Sequence, residues 1–427
     1  MLGGVRPDCI SGSHVSSKPQ ARAAWRVSWR QKRAVARNVA ARGFKHVTRK
    51  RENHLRTGTM KVLNVAGARP NFMKVAPLVE AFRHYGITQY LVHTGQHYDA
   101  AMSQLFFEEL GLPEPDINLG VGSASDVQQT AEIMRRFEPV LEKERPNLVV
   151  VVGDVNSTIA CTLVAVKMGI PVAHVEAGLR SFDRSMPEEI NRILTDSISD
   201  LLFASETSGV ENLTREGAAA HKIHLVGNVM IDTLLGYRDR ARSLPTLESL
   251  GLSDHGEPRR FALVTLHRPS NVDSPARLKS LLEVLAELGA RLPVIFPVHP
   301  RTRRQIVANG LGELLSRIRA VEPLGYLEFL NLLSHAALVV TDSGGIQEET
   351  TVLGIPCLTV RENTERPVTV ELGTNRLVGT DPRNILSAAF QVLDGEAPRG
   401  RIPDLWDGHA AERIAQVIVS HHQTATT

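Results

Sequence analysis

The amino-acid sequence predicts an α/β protein in which two Rossmann-like, doubly wound parallel-sheet domains face each other across a cleft. Its 427 residues are too many for one ordinary core and suit two domains of roughly 170–200 residues. From Met60 onward, short runs rich in apolar and β-branched residues alternate with helical stretches, as the strands and crossover helices of a parallel sheet do. The alternation starts again after Leu244–Pro258, a segment rich in turn formers and charge that we interpret as surface between the domains.

The first half contains six predicted strands separated by helices. Several strands are almost entirely apolar, Val149–Val152 most plainly, which is typical of strands covered on both faces. The strands are predicted at Lys61–Ala66, Gln89–Thr94, Leu148–Val152, Ile170–Val175, Asp200–Ala204 and Lys222–Val226. The helices are predicted at Asn71–Tyr85, Asp126–Lys143, Thr158–Met168 and Pro187–Ser199.

The second half repeats the alternation, and a final helix over Ala410–Ser420 is expected to pack back on the first half. Its strands are predicted at Phe261–Leu266, Val294–Val298, Ile318–Val321, Leu338–Thr341 and Pro356–Val360. We therefore divide the chain into a basic extension over residues 1–59, two Rossmann-like domains over 60–232 and 233–405, and a C-terminal segment over 406–427. Nucleotide-sugar glycosyltransferases of the two-Rossmann type share this architecture. Ligands of such sheets bind beyond the carboxyl ends of the strands, so residues there are the first candidates for function.

Charge is divided unevenly along the chain. Residues 1–59 carry 14 Lys and Arg against Asp8 and Glu52, a balance of +12, whereas the 35 basic and 44 acidic residues of 60–427 give −9. Such an Arg-rich, acid-poor leader can be a transit peptide, a nucleic-acid arm, or a leader without stable structure ahead of the first strand. We favour the third interpretation, so no specific nucleic-acid partner is expected.

Composition also argues against several classes of protein. No run of about 18 apolar residues is present, so no membrane span or membrane partner is expected. Cys9, Cys161 and Cys357 lie far apart, without the paired spacing of a metal site or a disulfide framework. This cysteine usage favours a reducing compartment, the cytoplasm, and no metal ion is expected.

The strand Leu338–Thr341 runs into Asp342-Ser343-Gly344-Gly345-Ile346-Gln347-Glu348-Glu349, a candidate nucleotide site. Two glycines after a strand let backbone N–H groups approach a ligand, and the helix that follows favours phosphate at its N-terminus. Ser343 can add a hydroxyl donor, and Glu349 could accept both hydroxyls of a ribose. The alternative is a glycine-rich turn with acidic residues in the first helical turn.

The turn after the first strand, Gly67-Ala68-Arg69-Pro70-Asn71-Phe72-Met73-Lys74, supplies two more candidates. Arg69 and Lys74 could both face the cleft and bind an anion, or they could be ordinary surface charges. Because neither G-x-G-x-x-G in this turn nor G-x-x-x-x-G-K-[ST] anywhere is present, no dinucleotide cofactor and no nucleotide hydrolase are predicted.

Three carboxylates occupy positions where strands end or helices begin. Asp154 follows one strand, Glu176 ends the next, and Glu188 opens a helix. Carboxylates at neighbouring strand ends lie close together, which separates their pKa values and equips one as acid and another as base. The structural alternatives are that Asp154 caps a helix and that Glu188 and Arg192 form an i,i+4 pair.

Two histidines also lie in or directly after predicted strands, and we interpret them differently. His267 comes directly after a strand at the interdomain cleft, where it could bind a diphosphate. His174 lies inside a strand, two residues before Glu176, and we interpret it as an ordinary buried polar residue with no metal role.

Taken together, these segments resemble the non-hydrolysing UDP-N-acetylglucosamine 2-epimerases of bacteria and archaea, from Met60 to about Gly379. Many short motifs in family order carry the resemblance. They are Arg69-Pro70, Gly95-Gln96-His97, Gly153-Asp154, His174 to Arg180, Pro187 to Arg192, Gly227-Asn228, His267-Arg268, Thr341 to Glu349 and Thr364-Glu365-Arg366-Pro367.

The resemblance implies the roles of the candidate residues. The implied catalytic residues, for proton transfer at C2 and for the elimination step, are Asp154, Glu176, Glu188 and His267. The implied UDP-binding residues are Arg69, Lys74, His267, Phe329, Ser343, Gly344, Gly345, Glu349 and Arg366. Among these, Phe329 matches a residue lying against the uracil ring and Glu349 the ribose ligand. Gln96 and His97 fall where bacterial members bind a second UDP-N-acetylglucosamine as an allosteric activator.

The sequence departs from some relatives at two places. Ser181–Met186 is slightly shorter than the matching stretch of other members, which puts the local loop and the activator contacts in question. Leu324 stands where some members have a glutamine in the nucleotide pocket. Neither change touches the three carboxylates.

The resemblance further implies a cofactor-free, homodimeric isomerase of polysaccharide biosynthesis. Such an enzyme interconverts UDP-N-acetylglucosamine and UDP-N-acetylmannosamine by expelling UDP, forming 2-acetamidoglucal, and adding UDP back. Three alternatives stay open: a hydrolysing epimerase that releases free N-acetylmannosamine, a two-Rossmann glycosyltransferase, and a non-catalytic nucleotide-sugar sensor or nucleic-acid binder that uses the basic leader.

Overall fold

The computed structural model describes residues 60–96, 107–254 and 256–425. The predicted extension over 1–59 lies outside the described residues, as do His97 and the side chain of Arg69. The strands, numbered β1 to β15, are Lys61–Ala66, Thr88–His93, Ile117–Asn118, Leu148–Val152, Val172–Val175, Leu201–Ala204, Ile223–Leu225, Ser253–Asp254, Glu257–Pro258, Ala262–Thr265, Val294–Pro297, Arg319–Val321, Leu338–Thr341, Cys357–Thr359 and Asn375–Leu377.

Helices cover both faces of the two larger sheets, and they are numbered here α1 to α15 in chain order. They are Arg69–His84, Asp126–Glu144, Asn156–Lys167, Pro187–Ile198, Thr207–Arg215, Val229–Arg242, Thr246–Ser249, Pro269–Val272, Pro275–Leu288, Pro300–Ala308, Tyr326–His335, Gly344–Leu353, Pro367–Glu371, Pro382–Leu393 and Ala410–Ala425. No helix of the described parts is long and apolar enough to cross a membrane.

Two parallel sheets with the same winding form the frame, which confirms the predicted fold class. The first has the order β3-β2-β1-β4-β5-β6-β7 and the second the order β12-β11-β10-β13-β14-β15. Each sheet reverses its direction of winding at one place, between β1 and β4 and between β10 and β13. A crevice opens beyond the carboxyl ends of the strands at such a switch point, which is where ligands of doubly wound sheets bind.

The central strands are apolar along their whole length because helices cover them on both sides. Every residue of β4, Leu148–Val152, is buried. In the two larger sheets, the strands that the sequence did not predict are β3 and β15, which are edge strands of two and three residues. Such short edge strands carry too little periodic pattern to be recognised from sequence.

The segment Leu244–Pro258 is more structured than predicted, so the surface interpretation was partly wrong. It contains the short helix α7 and the antiparallel pair β8–β9. Leu247 and Leu252 are buried in the hydrophobic core. The turn formers and charged residues around these two leucines lower the average hydrophobicity of the segment, so the sequence pattern did not indicate that they are buried.

The last helix, α15, packs on α1 and α6 near the first sheet. Ile414 and Ile418 on its inner face are fully buried. The carboxylate of Asp232 on α6 accepts hydrogen bonds from the backbone N–H groups of Ala410 and Ala411, at 3.1 and 2.7 Å. A carboxylate at a helix N-terminus satisfies free N–H groups and favours the helix dipole.

Candidate active site

Asp154 and Glu176 meet because their strands are paired in parallel register. Val152 of β4 lies beside Val175 of β5, so the residues that follow both strands emerge at the same edge of the sheet. Gly153, between strand and carboxylate, has φ +66°, a left-handed conformation that glycine adopts without strain. A Cβ at this position would lie 2.9 Å from Lys74 Nζ and 3.3 Å from Glu176 Oε2, so the glycine also makes room for these groups.

Glu176 is buried and held in an unusual conformation. Its φ is +72°, which is rare outside glycine and is found at functional sites more often than elsewhere. One carboxylate oxygen, Oε2, forms an ion pair with Lys74 Nζ. The other, Oε1, lies 3.6 Å from Arg366 Nη2 and makes no hydrogen bond to any described residue. Glu176 therefore lies between two cations and has one carboxylate oxygen that makes no hydrogen bond to the described residues.

Asp154 is paired with Arg192 of α4 and keeps about a quarter of its side chain exposed. Loss of solvent would raise the pKa of this carboxyl, but the charges of Arg192, Lys74 and Arg366 hold it below its ordinary value. Asp154 is therefore ionised at neutral pH and can act as a base.

Glu188 does not form the i,i+4 pair with Arg192 that sequence suggested as an alternative. It is half-buried at the start of α4, and among the described residues its carboxylate has no hydrogen-bond or ion-pair partner. Arg192 Nη2 instead binds Glu189 Oε2 at 2.7 Å. Glu189 is buried and also accepts hydrogen bonds from the backbone of Ser181 and Phe182, at 2.8 and 2.9 Å.

Glu189 and Arg192 were missed as supporting residues of the site. Helix α4 buries a stripe of polar side chains and exposes apolar ones, the reverse of an ordinary amphipathic helix. Polar residues at 189, 192 and 196 recur with the helical period, and this recurrence was the signal in the sequence.

Arg366 joins the two sheets through carboxylates. Its Nε donates to Glu348 Oε1 at 2.6 Å on the second sheet's side, while Nη2 approaches Glu176 on the first. The backbone of Gly344 lies against the guanidinium, since a Cβ there would be 2.6 Å from Arg366 Nη1. The pKa of Arg366 is raised despite burial, because Glu348, Glu176, Glu365 and Asp154 surround it.

A pocket lies beside this ion-pair network, at the carboxyl ends of β10 and β13. Five of the predicted UDP-binding residues line it together with Met73, Met230 and Leu324. The five are His267, Phe329, Ser343, Gly345 and Glu349. Ser343 is the N-cap residue of α12, and the positive end of that helix faces the pocket, as suits a phosphate.

His267 is held by Asp342, a residue that sequence reasoning left without a role. The fully buried carboxylate of Asp342 accepts from the backbone N–H groups of His267 and Arg268 and lies 3.1 Å from His267 Nδ1. Burial would raise the pKa of Asp342, but His267 and these donors hold it below its ordinary value. An ionised Asp342 orients the imidazole and leaves Nε2 for a ligand.

Glu349 has a neutral carboxyl near pH 7. Burial raises its pKa to about 8, although the hydroxyl of Tyr326 donates to Oε1 at 3.1 Å. A protonated carboxyl can both donate and accept, so it can hold the two hydroxyls of a ribose.

Lys74 and Gln96 are not among the residues that line this pocket. Lys74 turns to Glu176 instead, and the buried amide of Gln96 accepts hydrogen bonds from the backbone N–H and hydroxyl of Ser157, at 3.2 and 2.8 Å. Within the described ranges, no group of three or more His, Cys, Asp or Glu is placed to hold a metal ion.

The geometry combines two kinds of chemistry in one cleft. Ionisable carboxylates stand among fixed cations at the end of the first sheet, as proton transfer requires. A helix N-terminus, a histidine and a neutral carboxyl line the pocket at the end of the second, as suits a ribose diphosphate.

Comparison with known proteins gives a consistent result. Residues 80–419 match the family model of UDP-N-acetylglucosamine 2-epimerase. The UDP-N-acetylglucosamine 2-epimerase of Methanocaldococcus jannaschii is 42% identical over 375 residues, covering 84% of this chain and 99% of that protein. The UDP-2,3-diacetamido-2,3-dideoxy-D-glucuronate 2-epimerase of Pseudomonas aeruginosa is also 42% identical, over 84% of this chain and 99% of its own.

Solved structures agree. The crystal structure of the M. jannaschii enzyme with UDP-GlcNAc and UDP has a TM-score of 0.79 at 42% identity, covering 84% of this chain and 100% of that one. The Neisseria meningitidis UDP-GlcNAc 2-epimerase bound to UDP-GlcNAc has a TM-score of 0.77 at 30% identity, with the same coverage.

Proposed function

This chain belongs to the UDP-N-acetylglucosamine 2-epimerase family, and we propose that it interconverts UDP-N-acetylglucosamine and UDP-N-acetylmannosamine without releasing the free sugar. The observation that carries the proposal is the juxtaposition of Asp154 and Glu176, at adjacent strand ends, with Arg366, which approaches Glu176 from the second sheet and whose charge also acts on Asp154. A proton-transfer site and a diphosphate site are thereby joined by one side chain.

The chemistry of the sugar explains why both halves of the site are needed. The C2 proton of an N-acetylhexosamine has no adjacent carbonyl to acidify it. Its removal is therefore coupled to cleavage of the C1–O bond, and the electron pair left at C2 forms the C1=C2 double bond of 2-acetamidoglucal. UDP departs with the bonding electrons of the C1–O bond.

Charge on the departing UDP has to be stabilised where it develops. Arg366, His267 and the α12 N-terminus at Ser343–Gly345 supply positive charge and N–H donors for the diphosphate. Glu349 and Phe329 would hold the ribose and the uracil, so that UDP stays bound beside the glycal between the elimination and the re-addition. A proton is then delivered to the opposite face of C2, and the diphosphate oxygen adds back to C1.

Three carboxylates are available for the two proton transfers. Asp154 is ionised at neutral pH, since its pKa lies below the ordinary value, and it can therefore accept a proton. Among the described residues, Glu176 has one oxygen without a hydrogen bond, and Glu188, half-buried in the first turn of α4, has no hydrogen-bond or ion-pair partner. We propose that these three, with His267 at the diphosphate, make up the catalytic group.

The experiment uses the full chain with UDP-N-acetylglucosamine in heavy water, followed by proton and phosphorus NMR. We expect UDP-N-acetylmannosamine with deuterium at C2 and little free UDP. Accumulation of free N-acetylmannosamine would indicate a hydrolysing enzyme, and a folded, UDP-binding protein that exchanges nothing at C2 would overturn the proposal. Asp154→Asn, Glu176→Gln and Glu188→Gln then assign the transfers, each expected to cost about 10²–10⁴-fold in rate.

A second substrate belongs in the same experiment. The Pseudomonas relative, equal in identity, bears the name of an epimerase for a UDP-linked diacetamido glucuronate. Comparison of kcat/KM for the two UDP-sugars separates a neutral hexosamine from a uronic acid as the substrate of this chain.

We also propose a homodimer. Helix α4 buries its polar stripe and exposes Ile190 and Leu194, which are 40% and 48% exposed and stand one turn apart. An apolar stripe on a helix of the first sheet is suited to a matching stripe of a second copy. Light scattering during size-exclusion chromatography tests this, with Leu194→Asp expected to give monomers.

Two further expectations concern regulation and compartment. A second UDP-N-acetylglucosamine would bind near Gln96 and His97 as an activator, which a sigmoidal dependence of rate on substrate would reveal. Cys161 and Cys357 are free and buried, which supports a reducing compartment such as the cytoplasm.

A further inference from the structure

The turn that carries Asp154 is held by side chains at each of its carbonyl groups. Val152 O accepts from Asn71 Nδ2 at 3.2 Å, and Asp154 O accepts from Asn191 Nδ2 at 2.9 Å. Between them, Gly153 O lies 2.7 Å from Nε2 of His174. Three consecutive carbonyl groups, from the last residue of β4 to Asp154, each accept a hydrogen bond from a side chain, so the direction of the Asp154 side chain depends on these donors.

The ring of His174 has an acceptor at both nitrogens. The side chain is fully buried, and Nδ1 lies 2.7 Å from Oδ1 of Asp196. Gly153 O, at Nε2, is a carbonyl oxygen and can only accept. If Asp196 is ionised, both ring nitrogens must donate, and the ring carries a positive charge.

The surroundings of Asp196 require it to be ionised. Its second oxygen, Oδ2, accepts from the backbone N–H of Gly178 at 3.0 Å and lies 2.7 Å from Arg180 Nη2. Burial would raise the pKa of Asp196, but His174 and Arg180 hold it below its ordinary value. With donors on both oxygens, the carboxyl has no acceptor to which it could give a proton.

We propose that His174 is a buried imidazolium that positions Asp154 for proton transfer at C2, an inference that rests on the proposed epimerase function. The charged ring binds the Gly153 carbonyl more strongly than a neutral ring would, because a charge-assisted hydrogen bond is about twice as strong. Because Gly153 also borders Lys74 and Glu176, the His174 contact sets the spacing of the two carboxylates. His174 is thus a positioning residue that does not touch substrate.

The protonation state is measured directly on the full chain labelled with 15N-histidine. A long-range 1H–15N spectrum at pH 7.5 should show one ring with both nitrogens protonated, and this signal should be missing in His174→Gln. Asp196→Asn should convert the same ring to a neutral form. A neutral His174 ring in the unchanged protein would overturn the proposal, whether or not the chain epimerises any sugar.

Kinetics test the positioning role separately. Glutamine can donate to one acceptor but carries no charge, so it would hold the Gly153 carbonyl, and with it Asp154, less firmly. We expect His174→Gln to lower kcat about 100-fold, the loss that a displacement of a catalytic group by about 1 Å can cause. KM and the affinity for UDP should change less than about threefold, because the nucleotide pocket is on the other sheet. His221→Gln, at an exposed histidine, is the matched control and should leave kcat unchanged.

The outcomes distinguish this inference from the proposed function. If His174→Gln keeps the unchanged kcat although the ring of the parent protein is charged, the positioning role is wrong. If the unchanged chain exchanges no deuterium at C2, the epimerase proposal fails, and the ring spectrum still decides the protonation state.

Discussion

The carboxylate of Glu109 accepts a hydrogen bond from the backbone N–H of Tyr326 at 2.7 Å, although 217 positions separate the two residues. Glu109 lies between β2 and β3 of the first sheet, and Tyr326 opens helix α11 beside the second. The contact depends on Gly325, because a Cβ there would lie 2.2 Å from Glu109 Oε1. A side chain from a connection in the first sheet therefore caps a helix that packs beside the second sheet. That helix, α11, contributes Tyr326 and Phe329 to the lining of the nucleotide pocket.

Glu109→Ala should remove this cap. We expect a loss of about 1 kcal/mol of stability and a higher Kd for UDP, since α11 would lose a carboxylate at its N-terminus. Thermal unfolding and UDP calorimetry measure the two effects. Glu114→Ala, an exposed glutamate nearby, is the control. An unchanged UDP affinity in Glu109→Ala would show that the cap does not shape the pocket.

Arg366→Lys should impair both UDP binding and turnover. Lysine keeps the charge but cannot donate to Glu348 while reaching towards Glu176, as the planar guanidinium does. We expect kcat/KM to fall by about 10²–10³-fold, the range for loss of one donor to a developing anion. Steady-state kinetics measure the loss. Arg383→Lys, whose side chain is 90% exposed, should have no effect, and equal behaviour of the two variants would refute the role of Arg366.

Glu206 should make stability depend on pH. Burial raises the pKa of its carboxyl to about 8, against an ordinary value of 4.5, so the folded chain holds a proton that the unfolded chain has lost between those values. The stability from this proton is therefore complete below about pH 4.5 and is lost as pH rises through about 8.

Glu206→Gln removes that dependence without changing the shape of the side chain. The difference in Tm between Glu206→Gln and the unchanged protein should rise from pH 6 to pH 9, in favour of the variant. Thermal unfolding at several pH values checks this, with Glu114→Gln as the control. A difference that is constant with pH would mean that Glu206 is already ionised in the folded protein.

Gly178→Ala should destabilise the fold through a backbone collision. Gly178 has φ +81°, and a Cβ there would lie 2.3 Å from the carbonyl oxygen of Gly209. We expect a loss of about 3 kcal/mol or more, of which strain in φ accounts for about 1 kcal/mol. Gly169→Ala separates the two terms, since Gly169 has φ +72° and nothing within 4 Å of its Cβ position. Equal losses in Tm for both variants would disprove the collision.

Much of the fold could be read from local pattern. The apolar run Val149–Val152 and the strand Leu338–Thr341 stand in the structure where they were predicted, because buried parallel strands have continuous apolar sequences. Their positions at the ends of predicted strands also identified Asp154, Glu176 and His267 as candidates, because the residues at the carboxyl ends of parallel strands lie at one edge of the sheet. The short edge strands β3 and β15 and the buried anchors of Leu244–Pro258 gave no comparable signal.

The partners of the site residues were not readable in the same way. Arg192 binds Glu189 and Asp154 and not Glu188. The sequence could not decide among these carboxylates, because Glu188 and Glu189 both lie within about one helical turn of Arg192 and Asp154 lies at a nearby strand end. His174 looked like an ordinary strand residue, and only its contacts with Gly153 and Asp196, 21 and 22 positions away, show that both ring nitrogens lie at acceptor atoms. Glu206, Glu348 and Asp342 entered no prediction of function, because nothing local distinguishes a buried carboxylate from an exposed one.

The sequence by itself determined the two doubly wound sheets, the glycine-rich turn before α12 and the candidate groups at strand ends, because periodicity and turn chemistry act over a few residues. The tertiary structure alone decided which charges meet and which protons they keep. Ion pairing and desolvation act between residues far apart in the chain, and burial changes the pKa of Glu206 or Glu349 by removing water that the sequence cannot count.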